Sequence, residues 1–210
     1  IGRIFLPQGN SLPEERESLV GVLAGLRSEG TWLAETSIFD FYDGKGVLEA
    51  LFSGVGAEVK FELSEDPIFQ SGRAAQITSG EFVIGVLGEI RPAVLEKFEV
   101  DIAPVVLFEL DLEILLRTLP EGIAQFQPFP RVPGVFRDMA LVVNTQVPAT
   151  SVQALIENHP LVIRASLFDV YTGEGITHIQ RSLAYRVLFQ SPHRTLTTDE
   201  VSTAQNDILN

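Results

Sequence analysis

Cysteine is missing altogether from the 210 residues. Its absence excludes disulfides, thiolate nucleophiles and cysteine-based zinc sites, and it suits a reducing, cytoplasmic setting. No run approaches the ~18 consecutive apolar residues that span a bilayer, so no membrane partner is expected. Histidine is scarce: His159, His178 and His193 stand apart, with no carboxylate or second histidine at ligand spacing. Surface or loop roles therefore outweigh catalysis or metal binding for all three. Internal repeats and low-complexity tracts are absent as well. The opening Ile1-Gly2-Arg3-Ile4-Phe5 lacks the charged-then-apolar order of a leader and reads as a strand entered midway. The expectation is an excised fragment without a signal peptide.

Positive charge is also in short supply. The net charge is −13, at first sight a poor match to nucleic acid, whose phosphates attract Lys and Arg. The deficit is unevenly spread. Residues 1–126 hold 9 Lys/Arg against 21 Asp/Glu, whereas residues 127–210 hold 6 Arg against 7 Asp/Glu and all three histidines. The second region is close to neutral. It leaves RNA binding open without a strong basic field to announce it.

Composition breaks where the charge does. Leu119-Pro120-Glu121-Gly122 ends a helical pattern, and Gln127-Pro128-Phe129-Pro130-Arg131-Val132-Pro133-Gly134 follows. Prolines this dense forbid a helix and favour an extended connector. The length suits two domains of about a hundred residues each, here 1–124 and 125–210.

In the first region, residues 1–6, 19–26, 59–63, 74–77, 82–90 and 105–110 read as strands. Asp40-Phe41-Tyr42-Asp43 opens a helix that places Phe41, Leu48, Leu51 and Phe52 on one face. Arg91-Pro92 starts a short helix, since proline is tolerated in a first turn, and residues 111–117 form another. Mostly sequential strands with interspersed helices predict an α+β domain with an antiparallel sheet. The second region reads β-α-β-β-α: strand 138–144, helix 148–158 with Val152, Leu155 and Ile156 on one side, strands 164–171 and 182–190, and a helix opened by Thr197-Thr198-Asp199-Glu200. That tetrapeptide is a capping box. One further strand would complete a ferredoxin-like split βαβ unit; the last strand is expected to be missing.

Several motifs invite a chemical reading and mostly have a plainer one. Asp40 and Asp43 with Lys45 resemble a metal or phosphate cluster, but at a helix start Asp40 is more simply an N-cap. Gly85-Val86-Leu87-Gly88 lacks the Lys-Ser/Thr ending of a phosphate loop and sits within a strand. The second sheet is more informative. Side chains alternate along a strand, so Asp169 and Tyr171 share one face while Phe168 and Val170 point away. On the next strand Leu183, Tyr185, Val187 and Phe189 form the apolar set, leaving Ser182, Ala184, Arg186 and Gln190 opposite. Helices cover the apolar face, and the other then offers an aromatic ring, a carboxylate, a hydroxyl and an arginine. Such a surface suits unstacked RNA bases. From the pattern alone, a solvated sheet face beside a glycine turn is the favoured account.

Residues 126–138, Phe-Gln-Pro-Phe-Pro-Arg-Val-Pro-Gly-Val-Phe-Arg-Asp, resemble the entry to the ferredoxin-fold anticodon-binding domain of bacterial phenylalanyl-tRNA synthetase beta chains. Leu167-Phe168-Asp169-Val170-Tyr171 with Gly173-Glu174-Gly175-Ile176, Ser182-Leu183-Ala184, and Phe189-Gln190-Ser191-Pro192-His193-Arg194-Thr195-Leu196-Thr197 resemble its later blocks, in the same order. Ile1-Gly2-Arg3-Ile4-Phe5, Asp40-Phe41-Tyr42-Asp43-Gly44-Lys45-Gly46, Gly85-Val86-Leu87-Gly88-Glu89-Ile90 and Phe108-Glu109-Leu110-Asp111-Leu112 resemble the same family's catalytic-like domain.

The resemblance implies a degenerate class II synthetase-like antiparallel sheet domain followed by a ferredoxin-like βαββα(β) domain. It implies tRNA-binding roles for Asp169, Tyr171 and Ser182, with Arg186 beside them, and no catalytic or metal-binding residue. Expected partners are the anticodon region of phenylalanine tRNA and a catalytic alpha subunit, in a heterotetramer. The fragment would hold no cofactor; the whole ligase would use ATP and magnesium. Class II sites hold ATP with arginines, but the matching segment carries Glu109 and Asp111, which would repel a triphosphate unless bridged by a metal. Two departures stand out: the missing terminal strand, which in the family brings a basic residue to the anticodon, and Thr177-His178-Ile179-Gln180-Arg181, where relatives are often Lys-rich. The alternative functions are a ferredoxin-like small-molecule-binding regulatory module and, remotely, a metal hydrolase using Asp40, Asp43 and His178.

Overall fold

The computed structural model describes residues 1–9, 11–33, 35–120 and 132–209. The chain divides into two compact units, Ile1–Gln125 and Phe126–Asn210. The expected boundary near residue 125 and the connector up to Arg131 lie outside the described residues.

The first unit is built on strands β1 (Gly2–Leu6), β2 (Glu14–Ala24), β5 (Lys60–Leu63), β6 (Phe69–Ser79), β7 (Phe82–Ile90) and β8 (Val105–Asp111), with β3 (Leu26–Ser28) and β4 (Ser37–Ile38) forming a small separate pair. The six form one antiparallel sheet in the order β1-β2-β8-β7-β6-β5. The expected strand 19–26 is longer at its start and shorter at its end. Residues 14–18 are polar and carry no apolar period, yet they pair with β1. Gly25 takes φ +83 and ends the strand, a conformation that favours glycine.

Helix α1 (Phe41–Val55) opens on the expected cap. The Asp40 carboxylate accepts from the N–H of Tyr42 at 2.8 Å and of Asp43 at 3.2 Å, and the Asp43 carboxylate accepts from the Asp40 N–H at 2.9 Å. That backbone bond, with Arg27 alongside, holds the Asp43 carboxyl below its usual range. Leu48 and Phe52 are buried, and Phe41 and Leu51 pack against the same cluster. Short helices α2 (Pro92–Lys97) and α3 (Leu112–Thr118) complete the unit.

The second unit runs β9 (Val135–Asn144), α4 (Ala149–Glu157), β10 (Val162–Tyr171), β11 (Gln180–Phe189) and α5 (Thr198–Leu209). Its sheet order is β10-β11-β9, with β11 antiparallel to both neighbours. β9 and β10 are therefore parallel with one strand between them, the split βαβ arrangement of a ferredoxin-like fold. Among the described residues no strand flanks the outer side of β9.

The core of this unit is Leu183, Tyr185, Val187 and Phe189 from β11 with Met139, Val152, Ile156, Val201 and Ala204 around them. The Tyr185 hydroxyl reaches the start of α4 and donates to the Ala149 carbonyl at 2.7 Å, while burial pushes its pKa up. Leu155 does not join Val152 and Ile156: it is 74% exposed. At 3.6 residues per turn it lies ~80° from the midline between those two, on the flank of the helix. The capping box of α5 is formed, with Thr197 Oγ1 accepting from Glu200 N–H at 3.3 Å and the Glu200 carboxylate accepting from Thr197 N–H at 2.9 Å.

Candidate nucleic-acid interface

β11 sorts its side chains by alternation. Leu183, Tyr185, Val187 and Phe189 are fully buried, while the Arg186 side chain is exposed and Ser182, Ala184 and Leu188 are half-buried. Directly opposed residues of an antiparallel pair lie on the same face, so register identifies what shares the open side. Ser182 pairs with Tyr171 on β10 and with Val142 on β9; Ala184 pairs with Asp169 and Ala140; Arg186 pairs with Ser166 and Asp138. Asp169, Tyr171, Ser182 and Arg186 therefore all lie on one face, away from the unit's core cluster.

Within that face the four differ. Tyr171 is 47% exposed, and its hydroxyl donates to the Glu174 carbonyl at 3.3 Å across the turn that follows the strand. Its ring lies so close over Gly173 that a Cβ there would come within 2.5 Å of the Tyr171 hydroxyl. Glycine is what lets the ring settle on the turn. Asp169 is exposed and carries neither hydrogen bond nor ion pair among the described residues. Its carboxylate is available to a ligand. Arg186 is already engaged: Nε and Nη2 donate to the two carboxylate oxygens of Asp138, each at 2.8 Å. This bidentate pair raises the Arg186 pKa and lowers that of Asp138. Its charge is largely neutralised at home, so it is a weaker phosphate anchor than a free arginine would be.

One expectation fails. Alternation places Phe168 beneath the sheet with Val170, but the pairing slips between Leu167 and Asp169, which oppose the adjacent residues Tyr185 and Ala184. Phe168 is the extra residue of this bulge. It is 53% exposed, and the Arg186 guanidinium stands 5.3 Å from its ring centre, on the open side. The bulge also preserves the facing of Asp169 and Tyr171. Nothing in the sequence marks it, nor the pairing of Asp138 with Arg186, because both depend on cross-strand register.

In the first unit the acidic pair at the end of β8 has structural work. Glu109 accepts from the Ser18 hydroxyl at 3.0 Å. Asp111 caps α3 by accepting from Ile114 N–H at 3.0 Å and pairs with Arg16 at 3.2 Å. Carboxylates so placed do not fit a triphosphate. Asp40 and Asp43 are likewise occupied in the cap of α1.

Two family models match the chain, one described as the phenylalanyl tRNA synthetase beta chain CLM domain over residues 1–112 and one as the ferredoxin-fold anticodon binding domain over residues 130–210. Similar curated proteins are phenylalanine–tRNA ligase beta subunits. That of Dehalococcoides mccartyi (strain CBDB1) is 37% identical over 209 residues, and that of Geobacillus kaustophilus (strain HTA426) 38% over 214, each match covering 100% of this chain. That of Moorella thermoacetica (strain ATCC 39073 / JCM 9320) is 40% identical over 212 residues, covering 99% of this chain. The chain spans about a quarter of the length of these relatives, 26% in each case.

Proposed function

Because the chain belongs to the phenylalanyl-tRNA synthetase beta-chain family, we propose that it is the non-catalytic C-terminal portion of a phenylalanine–tRNA ligase beta subunit, in which the second unit binds the anticodon of phenylalanine tRNA. The first unit packs against a catalytic alpha subunit, within a heterotetramer, and ATP and magnesium are handled there. Among the described residues no helix is long and apolar enough to cross a membrane, and the cytoplasm is the proposed location.

The observation that carries the anticodon role is the register of β10 on β11. Tyr171 and Ser182 are direct partners, and Asp169 lies beside Ala184, two residues along the same open face. Tyr171 offers a ring on which a base can stack, while the free Asp169 carboxylate and the Ser182 hydroxyl sit where they can bond a base edge. Wrong bases are rejected because such polar groups, once desolvated, are left unpaired. Arg186 shapes the face from within its pair with Asp138.

Fluorescence titration of the 210-residue chain with an anticodon stem-loop of phenylalanine tRNA, against the same hairpin with a scrambled anticodon, tests this. Preference for the cognate loop of about tenfold or more is expected, and Tyr171→Ala should weaken binding by roughly 1–3 kcal/mol. Equal binding of the two hairpins overturns the assignment. The chain alone should support no phenylalanine-dependent ATP–pyrophosphate exchange; robust exchange would contradict the non-catalytic role.

A further inference from the structure

The open face of the second sheet holds more aromatic surface than one base needs. Phe168 is turned outward by the bulge, and Phe136 on β9 is 55% exposed. Between them lies Arg186, held by its two bonds to Asp138 and set over the Phe168 ring at 5.3 Å from its centre. Phe136, Arg137, Asp138 and Arg186 line a shallow hollow of about 480 Å³, within the ~300–1,000 Å³ range of small-ligand sites.

From this geometry we infer that Phe168 and Arg186 form a second stacking platform that takes an unstacked RNA base other than the one on Tyr171. The inference rests on the anticodon-binding reading of the same face. A guanidinium neutralised by a bidentate carboxylate contributes little as a phosphate anchor but keeps its flat surface, and arginine planes stack on bases as aromatic rings do. Spacing makes the two platforms distinct. Arg186 lies four residues along β11 from Ser182, which is ~13 Å at ~3.3 Å per residue. Stacked nucleotides rise only ~3.4 Å, so neighbouring bases in a continuous stack cannot occupy both platforms. A splayed loop can. Asp138 spends two of the roughly four lone-pair positions of its carboxylate on Arg186. The remainder favour a base that presents an exocyclic amine at this platform.

The test uses the 210-residue chain and anticodon stem-loops carrying 2-aminopurine at one loop position at a time. Phe168→Ala should weaken binding roughly five- to hundredfold and restore fluorescence at a loop position different from the one restored by Tyr171→Ala. Phe168→Leu, which keeps the apolar bulk, should show the same fluorescence change and guards against a folding defect. If Phe168→Ala and Phe168→Leu bind within twofold of the parent and leave every position quenched, while Tyr171→Ala still weakens binding, the second platform is refuted and the anticodon assignment stands. If the parent chain itself does not prefer the cognate loop, both fall together.

Discussion

Strands β8 and β11 are both apolar, but they are apolar in different ways. In β8, Val106, Phe108 and Leu110 enter one hydrophobic cluster while Val105 and Leu107 enter another on the opposite side of the sheet. In β11 the buried residues all belong to a single cluster, and the intervening positions carry Ser182, Ala184 and Arg186. A near-continuous apolar run signals a strand buried on both faces, and strict alternation signals one face left open. The contrast separates a strand spent on packing from one that retains a surface for a ligand. Carboxylates follow suit: Glu109 and Asp111 are tied to Ser18, Arg16 and the α3 cap, while Asp169 stands free.

The contrast can be broken most severely in the cores. Phe108→Ala in the first unit should cost ~3–5 kcal/mol of stability, read by denaturant titration. Leu183→Ala in the second should cost ~2–5 kcal/mol, whereas Ser182→Ala, one residue away on the open face, should stay within ~0.5 kcal/mol and yet lower the preference for the cognate anticodon loop. If both neighbours destabilise alike, β11 has no open face.

A smaller effect is expected at the link between the open sheet and its helical cover. Tyr185→Phe removes the bond to the Ala149 carbonyl and should cost ~0.5–1.5 kcal/mol. It should lower the melting temperature without changing RNA affinity. The slightest change concerns acid. Arg194 and the Thr197 N–H hold the Glu200 carboxyl down at about 2, from 4.5. A carboxyl lowered on folding stabilises the fold above its unfolded pKa, and that contribution fades as pH falls from 4.5 through about 2. Glu200→Gln should flatten this part of the acid-unfolding profile, followed by circular dichroism. An unchanged profile would mean that the α5 cap does not couple to folding.

Much of the architecture was legible from residue pattern. The β-α-β-β-α order, the proline start of α2, the Asp40 N-cap of α1 and the capping box of α5 follow from local signals, because a cap needs only residues three apart. The face assignment of Asp169, Tyr171, Ser182 and Arg186 was also legible, since alternation is a property of an extended chain. Leu155 and Phe168 were misplaced for separate reasons. The apolar arc of α4 is narrower than its sequence suggests, and a bulge adds one residue to β10.

The sequence alone determined which elements form, which side of β11 is apolar, and the family to which the chain belongs, all of which are written in neighbouring residues. Tertiary structure decided that Phe168 turns outward and that Asp138 and Arg186 clamp one another from 48 residues apart. Such contacts depend on how strands are registered against one another, and register is set by the packing of the whole sheet rather than by either strand.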